Sequence, residues 1–303
     1  MGQEMGLVAL GTGAVLAQKI LGPTADWIGQ GLLTWTQDRV ENLKHIFANA
    51  ETKLGDAINE DGSVPPRVLG LILDQGSYAS DPVATEYFGG ILASSRSGVS
   101  RDDRGATMAA LVTRLSFYQL RTHYIIYSVA HDLFKGRDVL VGFNASRQAN
   151  AILIPQLQYM RAMKFEKGED FDVLMAHALN GLEKEGLIDL FVTGDETVLA
   201  QVGIPNAPGP AIGCVTSALG AELYLWAHGL SRVHINDFAK VTIERDTDAL
   251  GIEIPSAASL VSELPPIPDE VRAAMQQLKT MAAQAMEAGH QFPTYSPGDD
   301  TKE

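Results

Sequence analysis

Apolar side chains recur at Leu33, Val40, Phe47 and Leu54, seven residues apart, and Thr36, Leu43 and Ala50 fill the positions three residues on. An α-helix turns once every 3.6 residues, so this heptad-like spacing gathers one seam along a long helix that must lie lengthwise on a partner. The helix is expected to open at Thr24, an N-cap residue followed by Asp26 in the first turn, where the helix dipole favours an acid. Gly55 and the turn residues Asp61, Gly62 and Ser63 end it. Pro65 and Pro66 then open a helix over 67–75, and Asp81-Pro82 another over 86–93. A third long helix is expected from Asp102 and Asp103 to Lys135, closed by Gly136. Its apolar positions Leu111, Leu115, Tyr118, Ile125, Val129 and Leu133 keep helical spacing, and Phe117, Tyr124 and Tyr127 widen the buried face.

The pattern changes after Gly142. Pro155 forbids one uninterrupted helix over 146–163. A helix is expected over 170–185, ended by Gly186, then a β-prone run at 190–193, a Gly/Pro-rich loop at 203–213, a second β-like run at 214–216, and a helix or strand through 219–226. The order helix, Gly186-Leu187-Ile188, loop, Thr216-to-Gly220 resembles a winged-helix module, a fold that binds DNA in many proteins and serves as a protein-contact fold in many others. The expected fold is therefore mainly α, with an apolar helix over 1–22, a helical bundle of long helices over 23–136, and a small winged-helix-like α/β portion over 146–246. Residues 247–303, rich in proline at first, read as a linker, a short helix over 270–288 and a tail.

Charge refines this picture. The 303 residues carry a formal net charge of −14, but unevenly. Residues 1–100 hold 6 Lys/Arg and 11 Asp/Glu, residues 101–164 hold 9 and 4, and residues 165–303 hold 8 and 22. A basic middle between acidic ends is either a binding stripe or an internal counterpart to the acidic segments, and ordinary surface economy favours internal pairing. The helix over 170–185 places Asp170, Asp172, Glu183 and Glu185, with Glu169 just before it, against Lys184 alone. That face repels phosphates, which argues against nucleic acid as a partner.

Little in the chain spells out chemistry. His123 and His131 stand two helical turns apart, about 12 Å of rise, too far to share a metal ion. His228 and His234 have no carboxylate or cysteine in ligand register, and the single cysteine, Cys214, sits in an apolar run that suits a small buried residue. No phosphate loop, zinc-protease or nucleophile-elbow motif occurs. No catalytic residue, metal or cofactor is expected. The densest polar cluster is Arg96, Arg101, Asp102, Asp103 and Arg104, with Glu86 nearby. It reads as a helix start whose charges pair locally, with a metal or phosphate site as the sharper alternative.

Residues 6–22 are rich in glycine and aliphatics, yet the apolar run 6–17 falls short of the about 20 residues a spanning helix needs. Gly11 and Gly13 suggest a dinucleotide turn, but the third glycine of that fingerprint would fall at Leu16. A buried helix and a membrane-inserting, oligomer-forming helix both fit Leu7, Val8, Leu10, Gly11, Gly13, Val15 and Leu16. Trp27 and Trp35 follow, and tryptophan favours the lipid–water boundary. Without an export signal, a cytoplasmic protein is expected, peripheral to the inner membrane if the segment acts there.

Residues 19–29, 64–69, 86–96, 101–106 and 186–188, with the run Thr216 to Gly229, together resemble the Abi-alpha (abortive infection alpha) family of bacterial proteins over about residues 19–230. The resemblance implies a role in defence against phage, in which infection triggers arrest or death of the host, and implies no catalytic residue or cofactor. Beside a third and lesser alternative, an enzyme with an unrecognised site around Arg96–Arg104 and Glu86, two mechanisms then stand open. One is a membrane-perturbing effector acting through 6–22. The other is a non-enzymatic sensor or adaptor that forms a homo-oligomer through the bundle and holds a protein partner or phage trigger through the winged-helix-like part.

Overall fold

The computed structural model describes residues 37–99 and 101–265, with positions 273, 277, 280 and 281 beyond them. The candidate membrane segment, Leu7, Val8, Leu10, Gly11, Gly13, Val15, Leu16, Trp27 and Trp35, lies outside the described residues. So does the expected helix opening at Thr24. Of the helix expected over 270–288, the four described positions are helical.

From Val40 to Leu54 the heptad seam is borne by α1, Gln37–Leu54, while Leu33 and Thr36 lie outside the described residues. Leu43, Ile46, Phe47 and Ala50 are buried along it, and α1 lies on α3, Pro82–Ser95. Between them runs α2, Pro66–Gln75, which begins on a proline that has no amide to lose. Asp81 starts α3 by accepting the amides of Val83 (2.9 Å) and Ala84 (3.2 Å).

The glycine pair in α3 sets how closely its neighbours approach. A Cβ on Gly89 would stand 2.5 Å from Asn49 Cβ on α1, and one on Gly90 would stand 1.8 Å from the Ala227 carbonyl oxygen. Backbones therefore press on α3 from both sides.

The long helix expected from Asp102 to Lys135 is two helices, α4 (Arg104–Arg114) and α5 (Phe117–Phe134). Ser116 breaks it. Its hydroxyl accepts the Gln119 amide while the Gln119 side chain accepts the Ser116 amide at 2.8 Å, a capping box set in the middle of an apolar run. Asp103, expected to cap the start, makes no side-chain cap on α4.

Nearly every side chain of α5 is buried, which marks it as the central helix. Around it pack α3, α7 (Gln156–Met163), α8 (Phe171–Lys184) and α10 (Ala218–Ala227). The short α6 (Asn144–Ala149) precedes β1 (Ile152–Pro155), the stretch where Pro155 rules out a helix.

After α8 come β2 (Ile188–Gly194), the short α9 (Glu196–Gln201) and β3 (Ala211–Thr216), and after α10 the single turn α11 (Thr247–Leu250) and β4 (Ser259–Leu260). The strands form one antiparallel sheet in the order β2-β3-β1-β4, with Cys214 of β3 opposite both Ile152 and Phe191. The chain is thus mainly helical with a small antiparallel sheet. One continuous core of buried side chains, from Leu43 to Leu260, joins the helical and sheet segments. No helix among the described residues is long and apolar enough to cross a membrane.

Both Gly-Leu sequences that punctuate the second half are helix stops. Gly186 (φ +70°) follows α8, and the amide of Leu187 reaches back to the Leu182 carbonyl at 2.8 Å. Gly229 (φ +77°) follows α10, with the Leu230 amide on Leu225 at 2.9 Å. Each is a Schellman closure, for which a left-handed residue is required.

Candidate functional site

The structure disperses the polar cluster seen in the sequence. Glu86 forms a largely buried ion pair with Lys53 of α1. Arg96 spends its guanidinium on the carbonyls of Ala57 (2.9 Å), Ile58 (3.3 Å) and Glu60, tying down the turn after α1. Arg101 is exposed. Asp102 binds Arg104 through both carboxylate oxygens (2.8 and 2.9 Å), and Asp103 pairs with Arg67 of α2 at 3.0 Å. Glu86 and Arg96 therefore tie α1 and the turn after it to α3, Asp102 and Asp103 make surface pairs, and Arg104 lines a cleft.

The basic middle of the chain is spent in the same way. Arg114 binds Glu185 (2.7 and 3.0 Å), Arg137 binds Glu263 (2.7 Å) and Arg147 binds Asp189 (2.7 and 3.0 Å). Arg121, buried in α5, donates to the carbonyls of Ala162, Leu250 and Gly251. Four arginines of the stripe seen in sequence thus pair with acids and carbonyls, most of them from later in the chain.

A second polar constellation is interior. His123 Nε2 faces the Gly220 carbonyl at 3.1 Å and so carries the ring proton, which leaves Nδ1 to accept the Tyr87 hydroxyl at 2.5 Å. The Tyr127 hydroxyl donates to the Leu187 carbonyl (2.6 Å) and accepts the Ser217 amide (2.9 Å). Ser217 in turn caps α10 by accepting the Gly220 amide, and its hydroxyl donates to the Gly186 carbonyl. The Gly186-Leu-Ile and Thr216-to-Gly220 sequences thus meet at one tyrosine of α5, far from either in the chain.

These groups are held neutral. Burial lowers His123 to about 3, and burial together with the nearby Lys53 charge lowers His228 to about 3. Burial raises the Tyr87, Tyr124 and Tyr127 hydroxyls well above the ordinary tyrosine range, and the Cys214 thiol likewise. None is poised for proton transfer near neutrality. Among the described residues, no three His, Cys, Asp or Glu side chains are placed to hold a metal ion.

The histidines have a thermodynamic consequence. In the unfolded chain each returns to an ordinary value near 6.5. Between pH about 6.5 and 3 the unfolded chain therefore binds protons that the fold refuses, so stability is full above that range and falls as pH drops through it. Urea unfolding at pH 5 should show about 2 kcal/mol less stability per histidine than at pH 7. His228→Gln should roughly halve the difference. Equal stability at the two pH values would contradict the buried, neutral state.

Two surfaces among the described residues bear on function. The first is the outward face of α8, where Asp172, Val173, Ala176, His177, Asn180 and Glu183 are exposed, Val173 by 62%. Leu190 on β2 is 58% exposed. The second is a cleft of about 420 Å³ at the C-terminal end of α10, lined by Arg104, Glu222, Trp226, Ser231, Arg232 and His234 among others. The Arg104 guanidinium lies 5.5 Å from the centre of a Trp226 ring. The loop after Gly229 is pinned: Ser231 donates to the Ser94 carbonyl (2.9 Å), and His234 accepts the Asn236 amide (3.2 Å). Asn236 in turn accepts the Gly142 amide at 2.8 Å. Sequence reading missed Glu222 and Arg232, and considered His234 only as a metal ligand beside His228. Each is an isolated polar residue with no spacing to connect it to Arg104.

No family model, curated protein or solved structure matches this chain.

Proposed function

We propose that this protein is a non-enzymatic contact protein of bacterial phage defence, in keeping with its Abi-alpha resemblance, and that α8 and β2 form the surface that holds a protein partner. The observation that carries the reading is the exposed face of α8, where Val173 and Ala176 stand among Asp172 and Glu183. Mixed apolar and acidic character suits a protein surface and repels a nucleic-acid backbone.

The order α5-α6-β1-α7-α8-β2-α9-β3, with β3 between β1 and β2, supports a winged-helix-like reading of this portion. In that arrangement α8 is the helix that would otherwise enter a DNA groove. The structural employment of Glu86, Arg96, Asp102 and Asp103 supports the non-enzymatic part of the reading.

Phage plating on bacteria expressing the chain tests the proposal. The double substitution Val173→Glu, Leu190→Glu should abolish protection. Because both side chains are exposed, the fold should lose no more than about 1 kcal/mol.

A further inference from the structure

The cleft beside Trp226 is lined by charges of both signs, with Glu222 close enough to Arg104 to steady its positive charge. Arg232 is exposed and Glu222 half-buried, both line the cleft, and neither makes a hydrogen bond through its side chain or an ion pair among the described residues. Arg114–Glu185 and Arg147–Asp189 are closely paired, whereas the Arg232 guanidinium and the Glu222 carboxylate line one cavity without a direct hydrogen bond.

Arg104 adds to the donor side. Asp102 engages its Nε and Nη2, which leaves the Nη1 edge free to donate. His234 adds one more donor. Its Nδ1 accepts the Asn236 amide, so the proton of the neutral ring sits on Nε2. Three donor groups thus share the cleft with one carboxylate. Counting Asp102, which sits on Arg104, the formal charges cancel, so a simple anion gains little net attraction here. A ligand with both an anionic and a cationic group would satisfy charges of both signs. The pinned loop 231–236 holds Arg232 and His234 in place beforehand, which lowers the cost of binding. A volume of about 420 Å³ is ample for a single amino acid.

We propose that this cleft binds an α-amino acid as its zwitterion, with the carboxylate taken by Arg104, Arg232 and His234 and the ammonium by Glu222. The site is independent of the α8 surface.

The test is thermal unfolding and calorimetric titration of the full chain with L-glutamate, L-lysine, L-leucine and L-phenylalanine separately. Acetate, n-butylamine and inorganic phosphate at the same concentrations serve as single-charge controls. At least one amino acid should raise Tm by about 2 °C or more at saturating concentration, with the three controls without effect. Arg232→Gln and Glu222→Gln should each weaken that amino acid about tenfold or more while leaving the Tm of the free protein unchanged. Three outcomes would overturn the proposal: no shift with any of the four, an equal shift with phosphate or acetate alone, or unchanged affinity in the Glu222→Gln protein.

Discussion

Alanine at Gly90 is expected to cost this protein more than about 3 kcal/mol, enough to unfold many domains of its size. The new methyl would stand 1.8 Å from the Ala227 carbonyl oxygen, inside any tolerable contact, and its neighbours there are backbone atoms rather than a flexible side chain. The other face of α3 offers no relief, because Gly89 already lies against Asn49 and the Ile46 carbonyl of α1. To admit the methyl, α10 must move, and α10 carries Trp226 and the Ser217 cap. Gly70→Ala is the matched control. That glycine is also within a helix, but nothing lies within 4 Å of its would-be Cβ, so the substitution should stabilise by up to about 1 kcal/mol. Urea unfolding of both variants gives the comparison, and a Gly90→Ala protein as stable as the parent would mean that α3 and α10 are not in this contact.

The second large effect is expected at Arg147. Its buried guanidinium donates to the Val141 carbonyl (2.8 Å), the Thr216 carbonyl (2.9 Å) and the Asp189 carboxylate (2.7 and 3.0 Å), joining α6 to β2 and the end of β3. Methionine fills much of the same volume but donates nothing. It leaves two carbonyls without their donor and Asp189 without its partner, a loss of about 3–5 kcal/mol. Lysine should fare nearly as badly, since one ammonium cannot span three acceptors held in a planar fork. A double-mutant cycle with Asp189→Asn separates the carboxylate's share from that of the carbonyls. A loss below about 1 kcal/mol for Arg147→Met would show that the carbonyls find other donors or water.

What could be read in the sequence follows physical lines. Helix α8 was legible because both its ends are written locally, with Asp170 as its cap and Gly186 as its stop. Helix α3 was shorter in the sequence than in the structure, since its first turn after Pro82 carries no apolar periodicity of its own. The break at Ser116 was hidden because apolar spacing runs on from Leu115 to Tyr118, and a capping box weighs little against it. Strand β1 is four residues long, too short to show a period, and only Pro155 hinted that a helix does not pass.

The candidate site was the least legible. Charges close in sequence at Arg96–Arg104 drew attention, yet the fold sends them to separate tasks. The cleft instead joins Arg104 to Glu222, Arg232 and His234, which only the packing of α10 against α3 and α4 brings together. Tyr127 is similar: its role as the junction of two glycine-stopped segments depends on the burial of α5, which no local pattern encodes.

If defence runs through the α8–β2 surface, phage plating will show it. Four sets of cells are compared, expressing the full chain, the Val173→Glu, Leu190→Glu variant, a chain beginning at Pro23, or no protein. The double variant, folded and expressed at the parental level, should plate phage like cells with no protein, and the chain beginning at Pro23 should still protect. Full protection by the double variant, with protection lost on removal of residues 1–22, would contradict a role for that surface and assign the effect to the N-terminal apolar segment.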